Sequence, residues 1–413
     1  MNVIHIATTD FGGAAQGMLN LHYALLERGV NSKILVAEKT TNIGSIYKME
    51  PNFQTFKWSR FNLIRRIQHS FRKRGKLKTV VEYWNDKISI INAPDSICYT
   101  SPFTNYDITQ HPLVKEAEII HLHWVGNFLD YTSFFRKTNK PIVWTLRDEN
   151  PGLGGFHYTS DKNNYGSYYD HIERHFLETK RISLIHKSNI TLVALSDVMK
   201  SFCSKVDFLA NKRIIKIYNP INCKTYNCID HQVAKKVLNI EDDAFVVSFV
   251  SVSLKDHRKG LTKLLDAINQ INKSIKLLCV GINDFFDKEH SNVVCYGRIE
   301  NQQLLSIIYS ASDVFVTPSL QESFGKTTVE AMLCGTPVIS TKTGIATEII
   351  NEDCGIFIES VDTKDIIDAI NLISERQYDR NNIQKRASSL FNPSIIAKEH
   401  IELYNSILDT KNY

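Results

Sequence analysis

The sequence predicts an α/β protein built from two doubly wound domains. Three observations point there. Apolar runs of strand length alternate with segments of helical period along most of the chain. The alternation breaks between residues 219 and 243, where Asn219, Pro220 and a polar stretch intervene, and then begins again. A chain of 413 residues is also too long for a single hydrophobic core. Domains are expected over residues 1–222 and 223–392, with a last helical segment, 393–413, packing back toward the first domain.

In chain order, residues 3–6 form a short apolar strand and Gly12 and Gly13 a turn. Residues 14–28 form a helix with Met18, Leu21, Leu25 and Leu26 at helical spacing. Gly29 stands where helices commonly stop, and residues 33–36 are the next strand. Residues 40–115 are polar, aromatic and basic by turns, and read as an elaboration of the first domain. Strands resume at 118–122, 141–145, 191–194 and 213–217. The second series places strands at 244–250, 275–280, 292–296, 313–317 and 337–340, with helices at 261–271, 302–309 and 325–333 among them. Runs this apolar suit parallel sheets covered on both faces. Residues 393–408 form an amphipathic helix, with Ile395, Ile396, Leu403, Tyr404, Ile407 and Leu408 inward and Glu399 and Glu402 outward.

Composition excludes several classes. Hydrophobic residues make up 43% and charged residues 23%, as in a water-soluble globular protein. The start lacks the basic and apolar regions of a signal peptide, and no run is long enough for a membrane-spanning helix, so a cytoplasmic location is expected. The eight cysteines are scattered without metal-ligand spacing and are expected as buried free thiols. Eight basic residues fall between Arg60 and Lys78, interleaved with Phe61, Leu63, Ile64, Ile67 and Phe71. This stretch is either a contact for an anionic membrane surface or a solvated helix. Nucleic acid is not expected, because no binding motif accompanies the charge.

The strongest chemical signal runs from Pro318 to Pro337. A strand ends at Thr317, a loop carries Glu322, and a helix starts near Gly325 with Glu330 about one and a half turns in. Glu322 therefore lies at the C-terminal edge of a parallel sheet, where open α/β domains bind ligands. The helix start offers backbone N–H groups to a phosphate or hydroxyl. Read alone, the two acids are equally an exposed loop carboxylate and a helix-face carboxylate. A second basic turn holds Arg258, Lys259 and Gly260 between a strand and a helix, suited to neutralising a leaving diphosphate or simply solvated. A third signal is His121 and His123, two apart and so on one strand face. No carboxylate or third ligand follows at a useful spacing, and no metal is expected.

The Glu322 to Glu330 segment resembles the E-x7-E signature of retaining glycosyltransferases of family 4, which have the GT-B fold of two Rossmann-like domains facing across a cleft. The resemblance is strongest from about 244 to 358. It implies that Glu322 holds hydroxyls of the transferred sugar and Glu330 the ribose. It further implies that Phe324, Gly325 and Lys326 line sugar and phosphate with their backbone, and that Arg298 and Ile299 lie by the base. Gly12 and Gly13 resemble the N-terminal glycine loop near donor phosphates, and His123 the residue that faces the sugar. Lys259 matches the family's Lys-Gly pair. The Arg expected several residues earlier is absent, Leu254 standing five positions before Lys259, and Arg258 is the substitute. Arg147 stands where a Thr-x-His-Asp pattern has His.

The implied function is transfer of a hexose-type sugar from a nucleotide-diphosphate sugar to a glycan or lipid-linked acceptor in surface polysaccharide synthesis, with no cofactor. The alternative is a non-catalytic nucleotide-sugar-binding protein on a degenerate scaffold. A dehydrogenase is disfavoured because the glycines around Gly12 and Gly17 lack the dinucleotide spacing.

Overall fold

The computed structural model describes residues 1–51, 79–91, 97–283, 285–286 and 292–409; the whole basic stretch, 60–78, lies outside them. The chain divides into two compact units. The first comprises Met1–His22, Gly29–Val193 and Phe202–Ile215; the second comprises Tyr23–Arg28, Ala194–Ser201 and Lys216–Tyr413.

Seven strands build the sheet of the first unit: β1 (Asn2–Thr9), β2 (Asn31–Glu38), β3 (Ile46–Lys48), β4 (Ile119–Leu122), β5 (Ile142–Leu146), β6 (Ile190–Ala194) and β7 (Arg213–Lys216). Their spatial order is β3-β2-β1-β4-β5-β6-β7. β1 pairs in parallel with both β2 and β4, and His5 sits directly opposite His121. Winding reverses between β1 and β4, which makes the C-terminal ends of these two strands the place for a ligand. The elaboration over 40–115 contributes the edge strand β3. It also contributes the helix Val80–Ser89, started by a capping box between Thr79 and Glu82.

The second unit holds β8 (Phe245–Ser253), β9 (Ile275–Ile282), β10 (Val293–Cys295), β11 (Val314–Thr317), β12 (Val338–Thr341) and β13 (Gly355–Ile358). They lie in the order β10-β9-β8-β11-β12-β13. β8 pairs in parallel with β9 and with β11, so here the reversal falls between β8 and β11. Alternate residues feed two separate cores. Val246, Leu278, Phe315 and Val338 enter one, while Val247, Leu277, Val316 and Ile339 enter the other. The period of two thus buries both sheet faces.

The final helix spans Pro393–Asp409. Ile396, Leu403 and Tyr404 are buried and Glu399 and Glu402 exposed, as its pattern requires, but Ile395 is 43% exposed and departs from the inward face assigned to it. His400 and Ala397 fill that face instead. Of the cysteines, Cys203, Cys279, Cys334 and Cys354 are buried free thiols, whereas Cys98 is exposed.

Candidate active site

In the second unit the chemistry collects where β8 and β11 end. Beyond β8 the chain makes a short turn, His257–Lys259, and then Gly260 at φ +76° starts the helix Leu261–Ile268. A Cβ at Gly260 would stand 2.4 Å from the Pro318 carbonyl oxygen, so only glycine lets the two loops lie this close. The approach sets Lys259 against the loop after β11. Its Nζ lies 2.5 Å from Glu322 Oε1, and Ser319 Oγ donates to the same oxygen at 2.9 Å. Thr341 Oγ1, at the end of β12, donates to the Ser319 carbonyl at 2.5 Å. Glu322 is thereby fixed from three strand ends, with its side chain 12% exposed.

The helix Lys326–Leu333 begins after Gly325, which takes the left-handed φ of +87°. Phe324 is buried against Phe391, and its carbonyl accepts from Ile345 N at 2.7 Å, which anchors the turn. One turn on, Lys326 Nζ lies 2.6 Å from Glu330 Oε1. Glu330 is 1% exposed and also receives the Tyr309 hydroxyl at 3.2 Å. Burial, and the Glu330 carboxylate beside it, push the Tyr309 hydroxyl well above its ordinary pKa, which keeps it a donor.

Two basic side chains are committed elsewhere. Arg258 is held by Asp256 through Nε at 3.2 Å and Nη2 at 2.8 Å. Arg298 is 53% exposed and pairs with Glu300 at 3.4 Å, while Ile299 packs half-buried on the core. Glu348 accepts from Lys216 at 2.7 Å and Tyr218 at 2.8 Å, a brace within the unit. Gly12 and Gly13 open the helix Gly12–Glu27 of the first unit, are exposed, and face open space.

In the first unit His5 within β1, His121 within β4 and His123 just after it form an array of imidazoles, with Arg147 beside them after β5. His5 Nδ1 lies 2.8 Å from His123 Nε2, and Arg147 Nη2 lies 3.1 Å from His123 Nδ1. A guanidinium only donates, so His123 accepts at Nδ1, donates from Nε2 to His5, and is neutral. His121, stacked on His123 with centroids 4.2 Å apart, bonds Thr145 at 2.7 Å. The ligand atoms of His5, His121 and His123 lie within 4.8 Å of one another. Their rings, however, are within 27° to 37° of parallel, so the in-plane lone pairs stack rather than converge on one ion. His5 is the third imidazole that spacing alone did not supply.

Beside this array is a small hollow, no larger than a water molecule needs, lined by His123, Trp124, Trp144, Arg147, Asp148 and His157, among others. His157 Nδ1 lies 2.5 Å from Asp148, and Trp124 Nε1 donates to the same carboxylate oxygen at 2.7 Å. Burial alone would lower the His157 pKa, but the Asp148 charge overrides it and raises it to about 10. The loop that carries these residues is pinned from below. Glu173 accepts from Gly154 N and Gly155 N at 2.8 and 2.7 Å, and Lys180 Nζ donates to the Asn150 carbonyl at 2.8 Å. A Cβ on Gly154 would meet Glu173 at 2.3 Å.

Residues 230–389 match the family described as Glycosyl transferases group 1. The capsular polysaccharide biosynthesis glycosyltransferase CapM of Staphylococcus aureus is 27% identical over 208 residues, 46% of this chain and 53% of its own length. The N-acetyl-alpha-D-glucosaminyl L-malate synthase of Bacillus anthracis is 28% identical over 219 residues, 49% of this chain and 56% of its own. The chain thus spans about half the length of these curated relatives. Among solved structures, sucrose-phosphate synthase from Thermosynechococcus elongatus matches with a TM-score of 0.68 at 19% identity, over 99% of this chain and 100% of that one. Anabaena HepE in complex with UDP-glucose matches with a TM-score of 0.63 at 17% identity, over 98% and 100%. These likenesses are of fold, the GT-B arrangement of two parallel-sheet α/β domains. The span from 230 to 389, which holds Lys259, Glu322 and Glu330, is thus the part of the chain that is similar to the group 1 glycosyl transferases.

Proposed function

We propose that this chain is a retaining, family 4-type glycosyltransferase that moves a hexose-type sugar from a nucleotide-diphosphate sugar to a glycan or lipid-linked acceptor in surface polysaccharide synthesis. The observation that carries this reading is the Lys259–Glu322 pair at the C-terminal ends of β8 and β11. A cation and a carboxylate held side by side suit a donor that offers diphosphate to one and sugar hydroxyls to the other. Names of relatives support the setting, since CapM belongs to capsular polysaccharide biosynthesis and HepE is seen with UDP-glucose.

In the proposed step the bond from the anomeric carbon to the phosphate oxygen breaks and a bond to an acceptor hydroxyl oxygen forms. The hydroxyl proton passes to the departing diphosphate. Lys259 stabilises the charge that develops there, and the backbone from Phe324 to Lys326 lines the phosphate and sugar. Arg258 takes part after leaving Asp256. Glu330 serves the ribose after Lys326 swings aside, which exposes a carboxylate now buried. Arg298 and Ile299 lie by the base, and Gly12 and Gly13 near the donor phosphates. His123 contributes to the sugar side. No cofactor is proposed. A cytoplasmic protein touching an anionic membrane through the stretch 60–78 fits a lipid-linked acceptor.

A screen of UDP-, GDP- and ADP-sugars for nucleotide release tests the reading, with NMR of the product anomer reporting retention. Turnover with one donor class supports it. Tight donor binding with no turnover on any acceptor would favour the non-catalytic alternative.

A further inference from the structure

Two cysteines sit side by side at the edge of the second unit's sheet. β10 is its outermost strand, and the register sets Cys295 directly opposite Cys279 of β9. Both side chains lie against the same core cluster, so they project from one face of the sheet. Neighbouring strands run about 4.8 Å apart, which puts the paired Cα atoms inside the roughly 4.4–6.8 Å that a disulfide spans. Both are free thiols, Cys279 buried and Cys295 half-buried. The Cys279 thiol donates to the Cys295 sulfur, and this bond lowers the pKa of Cys295. The same bond, and after it burial, raises that of Cys279. The more accessible sulfur is therefore the better nucleophile, with a second thiol waiting behind it.

We propose that Cys279 and Cys295 are a dithiol that a hydroperoxide closes to a reversible disulfide. With hydrogen peroxide, the Cys295 thiolate attacks one oxygen, the O–O bond breaks, hydroxide leaves, and Cys295 becomes a sulfenic acid. Cys279 then attacks that sulfur, the S–S bond forms, and the sulfenic oxygen departs as water with the Cys279 proton. The two thiols are oxidised and one peroxide is reduced to two waters. Cβ atoms that project in parallel stay about as far apart as the strands, wider than the roughly 3.5–4.5 Å of a relaxed bridge. Closure therefore draws β10 onto β9 and leaves a bond that is readily reduced again. In a reducing compartment that suits a sensor better than a staple. The chain leaves β10 straight into residues 296–299, where Tyr296 N donates to the Cys279 carbonyl and Gly281 N to the Gly297 carbonyl, each at 2.9 Å. Closure should thus disturb donor binding, a consequence that rests on the nucleotide-sugar reading for the place of Arg298 and Ile299.

The test exposes the full folded chain to hydrogen peroxide, alkylates the remaining thiols and maps tryptic peptides. Cleavage after Lys276, Lys288 and Arg298 puts Cys279 and Cys295 on separate peptides, 277–288 and 289–298. A linked pair, lighter by the two thiol hydrogens and separated by dithiothreitol, is expected. Cys279→Ser should stop at a Cys295 sulfenic acid that dimedone traps, and Cys295→Ser should leave Cys279 unmodified at the same dose. Circular dichroism of each variant separates lost chemistry from lost fold. No linked pair, links spread evenly over the other cysteines, or a dimedone adduct on Cys279 in folded Cys295→Ser would overturn the proposal. Nucleotide-sugar turnover is scored separately, and should fall several-fold on closure and recover with dithiothreitol. A reduced chain without turnover on any donor rejects the transferase reading while the linked pair stands. A linked pair with unchanged turnover rejects only the effect on the donor.

Discussion

Lys259 Nζ and Glu322 Oε1 meet at 2.5 Å although 63 residues separate them, because the sheet order sets β8 beside β11. The pair carries the first prediction. Glu322→Gln should lower sugar transfer by about 10²–10³-fold, the scale of losing one aimed polar group at a reacting centre. Lys259→Ala should do the same, and Arg258→Ala less, because Asp256 already holds Arg258. Nucleotide release at saturating donor measures all three. Equal losses for Arg258 and Lys259 would refute the ranking.

Chelator should leave activity within about twofold if Lys259 supplies the charge at the leaving diphosphate. The check is transfer rate with and without EDTA, followed by re-addition of magnesium or manganese. Activity abolished and restored in this way would assign that charge to a metal.

Gly260→Ala combines a φ of +76° with a Cβ 2.4 Å from the Pro318 carbonyl. A stability loss of about 1–3 kcal/mol is expected from the strain and the forced loop shift. Urea unfolding gives the loss. Donor binding should weaken as well, since the same displacement separates Lys259 from Glu322.

Lys326→Met should be markedly destabilising, by about 3 kcal/mol, because it strands the buried Glu330 carboxylate. The double variant Lys326→Met with Glu330→Gln should recover part of that loss. Thermal unfolding of the unaltered chain, the two single variants and the double variant makes the comparison, and additive losses would argue against the pairing.

His157 gives a pH prediction. Its folded pKa is raised to about 10 from the ordinary 6.5, so the folded state holds a proton that the unfolded state releases. The stability it contributes is complete below pH 6.5 and is lost as pH rises through 10. The stability difference between the unaltered chain and His157→Gln should therefore shrink across that window. A difference that stays constant from pH 6 to 10 would place the proton elsewhere.

Most strands were legible in the sequence because they are apolar runs between polar turns, whereas the short edge strands β3 and β13, Ile46–Lys48 and Gly355–Ile358, are too brief to show a pattern and were missed. Glu322, Lys259 and His123 stood out as candidates because each lies within about six residues after such a run. Other features depend on relations that spacing along the chain does not carry. Asp256 captures Arg258 from two residues away, a local competition as compatible with the motif as an outward-pointing arginine. Glu330 lies on an ordinary helix face in sequence, and only its packing beside Tyr309 buries it. His5 joins His123 through the parallel register of β1 and β4. Asp148 and His157, nine residues apart, form a pair only because the loop between them folds back. Ile395 shows the opposite error, an apolar residue at the right period with nothing to cover it.

The helix Thr159–Leu184 carries Glu173 and Lys180 two turns apart on one face, and both grip the loop that floors the first-unit hollow. The shape of that loop is therefore set from 19 to 30 residues further along the chain, so a substitution on this one helix face should disturb the Asn150 to Gly155 turn without altering the turn's own sequence.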